Sequence, residues 1–202
     1  MTERPLLVVM AKAPVCGAAK TRLAASIGHV AATALYRQLT ARLLRSVRRD
    51  PRWSLALAIT PPAALSSAHT CWSGAFLRLA QGTGDLGQRM QRLFDRFGQG
   101  PLLLVGSDAP GITSKRIAAA FRLLRASDAV FGPAEDGGYW LVGLRRRPRT
   151  PQIFERVRWS SEHTLDDTLL NMKGLRVALA ATLYDIDGAK DYRRYLAETR
   201  DK

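Results

Sequence analysis

Three short strings hold the residues of this chain that could do chemistry. The first runs from Lys12 through Pro14 and Gly17 to Lys20 and Arg22. A glycine lets backbone turn closely around a phosphate, and exposed amides with lysine and arginine neutralise its oxygens. Arginine grips two oxygens at once, whereas lysine acts as a point charge. The second is Gly106-Ser107-Asp108, where one carboxylate follows an apolar run. Such a carboxylate suits Mg²⁺, which takes one or two carboxylates and completes its shell with substrate phosphates. The third is Asp136-Gly137-Gly138-Tyr139, an acidic turn whose paired glycines let a backbone come close to a ligand.

Each string also has a plainer reading. The first lacks the G-x-x-x-x-G-K-[ST] and G-x-G-x-x-G spacings, so by spacing alone it is also a basic surface loop. Its place directly after the first strand favours the phosphate reading. Asp108 could simply open a turn or cap the next helix. Asp136 to Tyr139 is a good hairpin turn. A further carboxylate is available in Asp185-Ile186-Asp187, where an extended backbone would put both acids on one side. Asp85 reads as a helix N-cap and Asp191 as a residue of the last helix's first turn. Trp159-Ser160 reads either as core plus N-cap or as part of a substrate pocket. His29, His69 and His163 show no ligand spacing.

What must position these groups is a succession of short apolar runs and helical patterns. Leu6 to Met10, Ser54 to Ile59, Phe76 to Leu79, Leu102 to Val105, Ala129 to Phe131, Tyr139 to Leu144 and Leu175 to Leu179 read as strands. Between them, apolar residues recur at helical spacing, as in Leu35, Leu39, Leu43 and Val47, or Leu86, Met90, Leu93 and Phe94. Helix faces follow at Ile117 to Leu124 and Leu165 to Met172, and Tyr192 to Glu198 closes the chain. This alternation predicts one α/β domain over residues 1–202, a mostly parallel sheet flanked by helices on both faces. In such sheets ligands bind outside the carboxyl ends of the strands, at a topological switch point, so the strings should share one crevice.

Composition narrows the partners. The 47% apolar content supports a self-sufficient core. No apolar run is long enough to span a bilayer, and two cysteines make no disulfide framework or metal spacing, so a cytoplasmic location is expected. Lys and Arg number 31 against 17 Asp and Glu, a net charge of +14. That charge attracts polyanions. The arginines are scattered over polar helix faces, and no nucleic-acid-binding motif is present, so no specific nucleic acid is expected. The Arg145-Arg146-Arg147 run, beside Pro148, reads as an exposed loop.

Taken together the strings resemble the DUF2064 family, a bacterial group of glycosyltransferase-like proteins in the GT-A, nucleotide-diphospho-sugar transferase superfamily. The resemblance is carried by Ala11-Lys12-Ala13-Pro14, Gly17, Lys20-Thr21-Arg22-Leu23, Gly84-Asp85-Leu86-Gly87, Arg89-Met90, Gly106-Ser107-Asp108 and Pro110. It continues through Pro133-Ala134, Asp136-Gly137-Gly138-Tyr139, Gly143-Leu144, Trp159-Ser160 and Asp185-Ile186-Asp187. It implies a GT-A-like domain, a nucleotide or nucleotide-sugar partner with a small acceptor, and Mg²⁺ or Mn²⁺ as cofactor. Asp108 is then the metal carboxylate. Asp187, in Ile186-Asp187-Gly188-Ala189-Lys190-Asp191-Tyr192, matches the second metal ligand of related nucleotidyltransferases; Gly188 and Lys190 depart from their pattern.

Two reactions fit that resemblance. In glycosyl transfer, the working expectation, the metal holds the diphosphate of a sugar nucleotide and Asp136 activates an acceptor hydroxyl. In nucleotidyl transfer, Lys20 and Arg22 stabilise a leaving pyrophosphate. In either reaction the expected binding residues are Lys12, Pro14, Gly17, Lys20, Arg22, Ser107, Gly137, Gly138 and Tyr139. A third reading of another class, a polyanion-binding protein with a decayed site, rests on charge alone and predicts steeply salt-dependent nucleic-acid binding.

Overall fold

The structure is a computed structural model describing residues 4–67, 69, 72, 76–146 and 149–200; Cys71, Arg147 and Pro148 lie outside the described residues. Seven strands form one sheet. They are β1 (Leu6–Lys12), β2 (Ser54–Thr60), β3 (Leu77–Ala80), β4 (Leu102–Val105), β5 (Ala129–Pro133), β6 (Tyr139–Leu144) and β7 (Val177–Leu179). The helices are α1 (Thr21–Ile27), α2 (His29–Val47), α3 (Leu86–Arg96), α4 (Ser114–Ala126), α5 (Thr164–Leu170) and α6 (Ala189–Arg200), with a 3-10 turn at Pro62–Ser66. None of the described helices is long and apolar enough to cross a membrane.

Alternation along each strand sorts its residues to two faces, as the period of two requires. Leu7, Val9, Leu57, Ile59, Leu103 and Val105 pack with Leu43 and Val47 of α2 and Ile117, Phe121 and Leu124 of α4. Val8, Ala56, Ala58, Leu102, Leu104 and Phe131 pack on the other face with Met90, Leu93 and Phe94 of α3. A third, smaller cluster joins Leu23 of α1, Leu35 and Leu39 of α2, Ile186, and Tyr195 of α6.

The strand order is β3-β2-β1-β4-β6-β5-β7. The chain fills one side of β1 and then crosses to the other, so the switch point lies between β1 and β4. Six of the seven strands run parallel to one another, while β6 runs antiparallel to both β4 and β5. The reversal has a local cause: Asp136 to Gly138 makes the expected hairpin, with Ala134 N–H donating to Gly138 O at 2.9 Å. It has a useful result as well. Leu141 is paired with Val105, so the start of β6 sits at the carboxyl end of β4.

Three sequence expectations are corrected. Lys20 to Leu23 is not all loop, because α1 begins at Thr21. Arg146 is buried, not exposed: its guanidinium donates to Phe94 O, Phe97 O and Gly100 O at 2.8–3.1 Å and closes the end of α3. Of the two readings of Trp159-Ser160, the N-cap is not observed, since α5 follows His163 and Ser160 caps nothing, while Trp159 is partly buried against the core beside Gly87. The Asp85 cap is observed as a full capping box with Gln88.

Candidate active site

A cavity of about 360 Å³ opens at the switch point, lined by Lys12 and Lys20, Tyr36, Thr60, Gln81, Arg89, Ser107, Asp108 and Tyr139 among others. It is bounded by the carboxyl ends of β1, β2 and β4, where the topology rule places a ligand. Size and mixed lining match a small-molecule site.

Lys20 organises the charge. Its backbone is left-handed (φ 53°), a conformation that costs a non-glycine residue on the order of 1 kcal/mol. That bend turns the side chain inward, where it is 5% exposed and lies 2.8 Å from Asp108 Oδ2 and 2.9 Å from Asp187 Oδ1. Burial alone would lower its ammonium, but Asp108 and Asp187 outweigh it and hold the group above the ordinary lysine range. Arg22 stands further out, 3.8 Å from Asp187 Oδ2 and well exposed.

The two carboxylates come from distant parts of the chain. Asp108 follows β4 and caps nothing, because the side chain that caps α4 is Thr113. Asp187 is delivered by the small third cluster: Ile186 is fully buried between α1, α2 and α6, so its neighbours face the cavity mouth. Asp191 accepts the amides of Asp187 and Gly188 at 3.2 and 3.0 Å, fixing the backbone at Asp187. Asp185 stands inside this group. Its Oδ1 is buried without a hydrogen-bond partner, and burial, reinforced by Asp108, pushes its carboxyl up to about 7.

Among the described residues no three Asp, Glu, His or Cys side chains converge closely enough to hold a metal by themselves. Two carboxylates that reach one ammonium within 2.9 Å do fit an ion of the Mg²⁺ type, which brings water and substrate phosphate as its other ligands. The orphaned Asp185 oxygen is a further hard donor beside them.

Behind the charges the wall is fixed by polar groups that the sequence did not single out. The Tyr36 hydroxyl accepts the Lys12 amide at 2.8 Å and lies 3.0 Å from Lys12 O and from Ser107 Oγ, tying the ends of β1 and β4 together. Burial pushes that phenol up to about 12, so it stays protonated. Gln81 is buried, donates to Ala11 O and Ala58 O, and accepts from Arg89 Nη1 at 3.0 Å. Arg89 also donates through Nε to Asp85 O. It is thereby presented at the cavity with donors to spare. The one sequence signal for Gln81 is a polar residue directly after a strand; Tyr36, on the buried face of α2, carries none.

Of the expected site residues, Lys12, Lys20, Ser107, Asp108 and Tyr139 line the cavity, and Asp187 joins them through Lys20. Pro14 and Gly17 lie outside the lining; Pro14 O accepts two bonds from Arg37, which pins the loop. Asp136 is exposed and outside the lining, and its Oδ1 accepts the Gly138 amide at 2.9 Å. The close approach at Gly137 is internal, since a side chain there would strike the Glu162 backbone at 2.1 Å.

Comparison with known proteins agrees with this layout. A structure from Desulfovibrio desulfuricans G20, provisionally named a nucleotide-diphospho-sugar transferase, superimposes with a TM-score of 0.83 at 31% identity, over 93% of this chain and 84% of that one. The 4-diphosphocytidyl-2C-methyl-D-erythritol synthase of Anaerococcus prevotii shares the fold (TM-score 0.61, 9% identity, 97% and 96% of the chains). So does a mannosyltransferase from Pyrobaculum calidifontis in complex with GDP-Man and Mn²⁺ (TM-score 0.52, 10% identity, 96% and 60%). No curated protein matches significantly. The model of DUF2064, described as "Uncharacterized protein conserved in bacteria", matches residues 43–161, more than half of the sequence, and the chain therefore belongs to the DUF2064 family.

Proposed function

We propose that this chain, acting as one domain in the cytoplasm, is a divalent-metal-dependent nucleotidyltransferase that joins a nucleoside triphosphate to a small phosphorylated acceptor. The observation that carries the reading is the Lys20 ammonium shared by Asp108 and Asp187 at the mouth of the switch-point cavity. Cations and metal-binding carboxylates are concentrated there, and phosphoryl chemistry needs positioning and charge neutralisation more than a covalent catalyst.

An acceptor phosphate oxygen, already anionic, attacks the α-phosphorus. The new P–O bond forms as the bond to the bridging oxygen of the β-phosphate breaks, and pyrophosphate leaves with the electron pair. Lys20 and Arg22 neutralise the charge that builds on the leaving group. Asp108 and Asp187 would hold the metal, which when bound would supply Lewis-acid neutralisation of the phosphates. Tyr36 keeps Lys12 and Ser107 in register across the cavity floor. Arg89, aimed by Gln81, offers paired N–H donors to a base edge with adjacent acceptors, such as guanine O6 and N7, or to a phosphate.

Glycosyl transfer is the second reading, favoured by the name of the Desulfovibrio protein at 31% identity. It asks for a base within hydrogen-bond reach of an acceptor hydroxyl. Asp136, the candidate for that role, lies outside the cavity lining with one oxygen committed to Gly138, and this supports nucleotidyl transfer as the first reading.

Labelled pyrophosphate, Mg²⁺ and a panel of nucleotide sugars separate the two. Nucleotidyl transfer run backwards puts label into a triphosphate, and Asp108→Asn should abolish it by at least a hundredfold while the protein stays folded by circular dichroism. Release of nucleoside diphosphate without label would establish glycosyl transfer instead.

A further inference from the structure

A larger cavity, about 520 Å³, lies at the other end of the sheet, lined by Arg4, Pro5, Arg52, Trp53, Pro101, Ala118, Phe121, Arg122, Leu124, Arg125 and Arg145. Pro5, Trp53 and Pro101 immediately precede β1, β2 and β4, and Arg145 follows the antiparallel β6. The cavity therefore opens at the amino ends of the parallel strands. The seven residues of β1 separate it from the switch-point cavity by roughly 20 Å.

Its two halves differ in chemistry. The floor is apolar: Trp53 and Phe121 stack with centroids 5.7 Å apart, beside Leu124 and Ala118. The rim carries five arginines and no acidic residue. Arg52 is bound bidentately by Asp50, itself held by Ser114 Oγ, and lies over the Trp53 ring at 5.0 Å. Arg4 donates to Pro51 O, and Arg145 feels the nearby Asp128 carboxylate. Arg122 and Arg125, one turn apart on α4 and exposed, form no ion pair among the described residues. The Arg122 and Arg125 guanidinium groups, beside an apolar hollow and without ion-pair partners among the described residues, match a ligand with an anionic head and an apolar body. The volume falls within the usual range of small-molecule sites, about 300–1,000 Å³.

We propose that this cavity binds an amphipathic anion, a phosphate or carboxylate carried on an apolar chain, at a site separate from the nucleotide site. The apolar chain lies on Trp53, Phe121 and Leu124, and the anionic head is held by Arg122 and Arg125 with Arg4 and Arg145 at the edge. The inference does not depend on which transfer reaction the other cavity performs.

Decyl phosphate below its micelle concentration is the probe, titrated into the full chain by calorimetry, with inorganic phosphate and decanol as half-probes. One decyl phosphate per chain is expected, each half-probe binding at least tenfold more weakly. Arg122→Ala with Arg125→Ala should weaken decyl phosphate at least tenfold by removing the head contacts. Ala118→Leu should weaken it by filling the floor; both variants should keep the triphosphate binding of the parent, and the double arginine variant should also keep its melting temperature. Many molecules bound per chain, or affinity untouched by both variants, would overturn the site in favour of general adsorption to a basic surface. Phosphatidylglycerol vesicles identify the source. Binding to them that the double variant loses assigns the ligand to a lipid, and no vesicle binding alongside a decyl phosphate response assigns a free amphiphile. Vesicle binding that the double variant keeps, with no response to decyl phosphate, would overturn the proposal.

Discussion

The Lys20 side chain is only 5% exposed yet stays charged there, because two carboxylates at 2.8 and 2.9 Å replace the lost hydration. The exchange works in both directions: without that cation, Asp108, Asp187 and the half-buried Asp185 would repel one another at the cavity mouth. Lys20→Gln is therefore expected to cost about 1–3 kcal/mol, less than a fully buried pair because Asp108 and Asp187 remain 35% and 46% exposed. Millimolar Mg²⁺ should then raise the melting temperature of the variant more than that of the parent, since the same oxygens become free for the metal. Equal Mg²⁺ responses in a paired thermal melt would remove Asp108 and Asp187 from the metal site. Asp108 was legible in the sequence because a carboxylate directly after a buried strand has a predictable address. Tyr36 and Gln81 were not, as their meaning lies in partners 24 to 71 residues away that only the folded sheet brings near.

At the scale of elements, strands and long helices were legible from their periods, because each buries a face against a neighbour. The misses fall where a single residue overrides the local pattern. Thr21–Ile27 has only seven residues, too few for periodicity to show, and its place is set by Lys20 and by Leu23 in the third cluster. Arg146 looked like surface because it sits between arginines. In the fold its left-handed backbone (φ 52°) turns the guanidinium under α3, where it meets the carbonyls of Phe94, Phe97 and Gly100. Helix ends leave such carbonyls unsatisfied, and burying them without a donor is costly. Arg146→Met should thus lower stability by about 2–4 kcal/mol in urea unfolding, whereas Arg145→Met, half-buried on the opposite cavity, should change it by less than about 0.5 kcal/mol. Equal effects of the two would show that the carbonyls find water when the guanidinium is removed.

Across the whole molecule the two cavities occupy opposite ends of one sheet, and both are ringed by cations in a chain of net charge +14. Such a charge acts in two ways that salt separates. Repulsion spread over the surface destabilises the compact state, and the same field draws anionic ligands inward. Raising ionic strength shortens the Debye length to about 10 Å at 0.1 M, which weakens both effects among exposed groups. The melting temperature of the ligand-free protein should therefore rise between about 20 and 200 mM NaCl, while the dissociation constant for a triphosphate should increase severalfold. The buried Lys20 contacts are screened least, so triphosphate binding should level off at high salt instead of vanishing. Non-specific adsorption, for which nucleic acid is the natural comparison, has no such core and should keep falling along a straight line in log salt. A triphosphate curve as steep and straight as that for RNA would mean that the switch-point cavity contributes no more than the surface does. A plateau for triphosphate alone would assign its retention to the carboxylate-bound lysine and its neighbours.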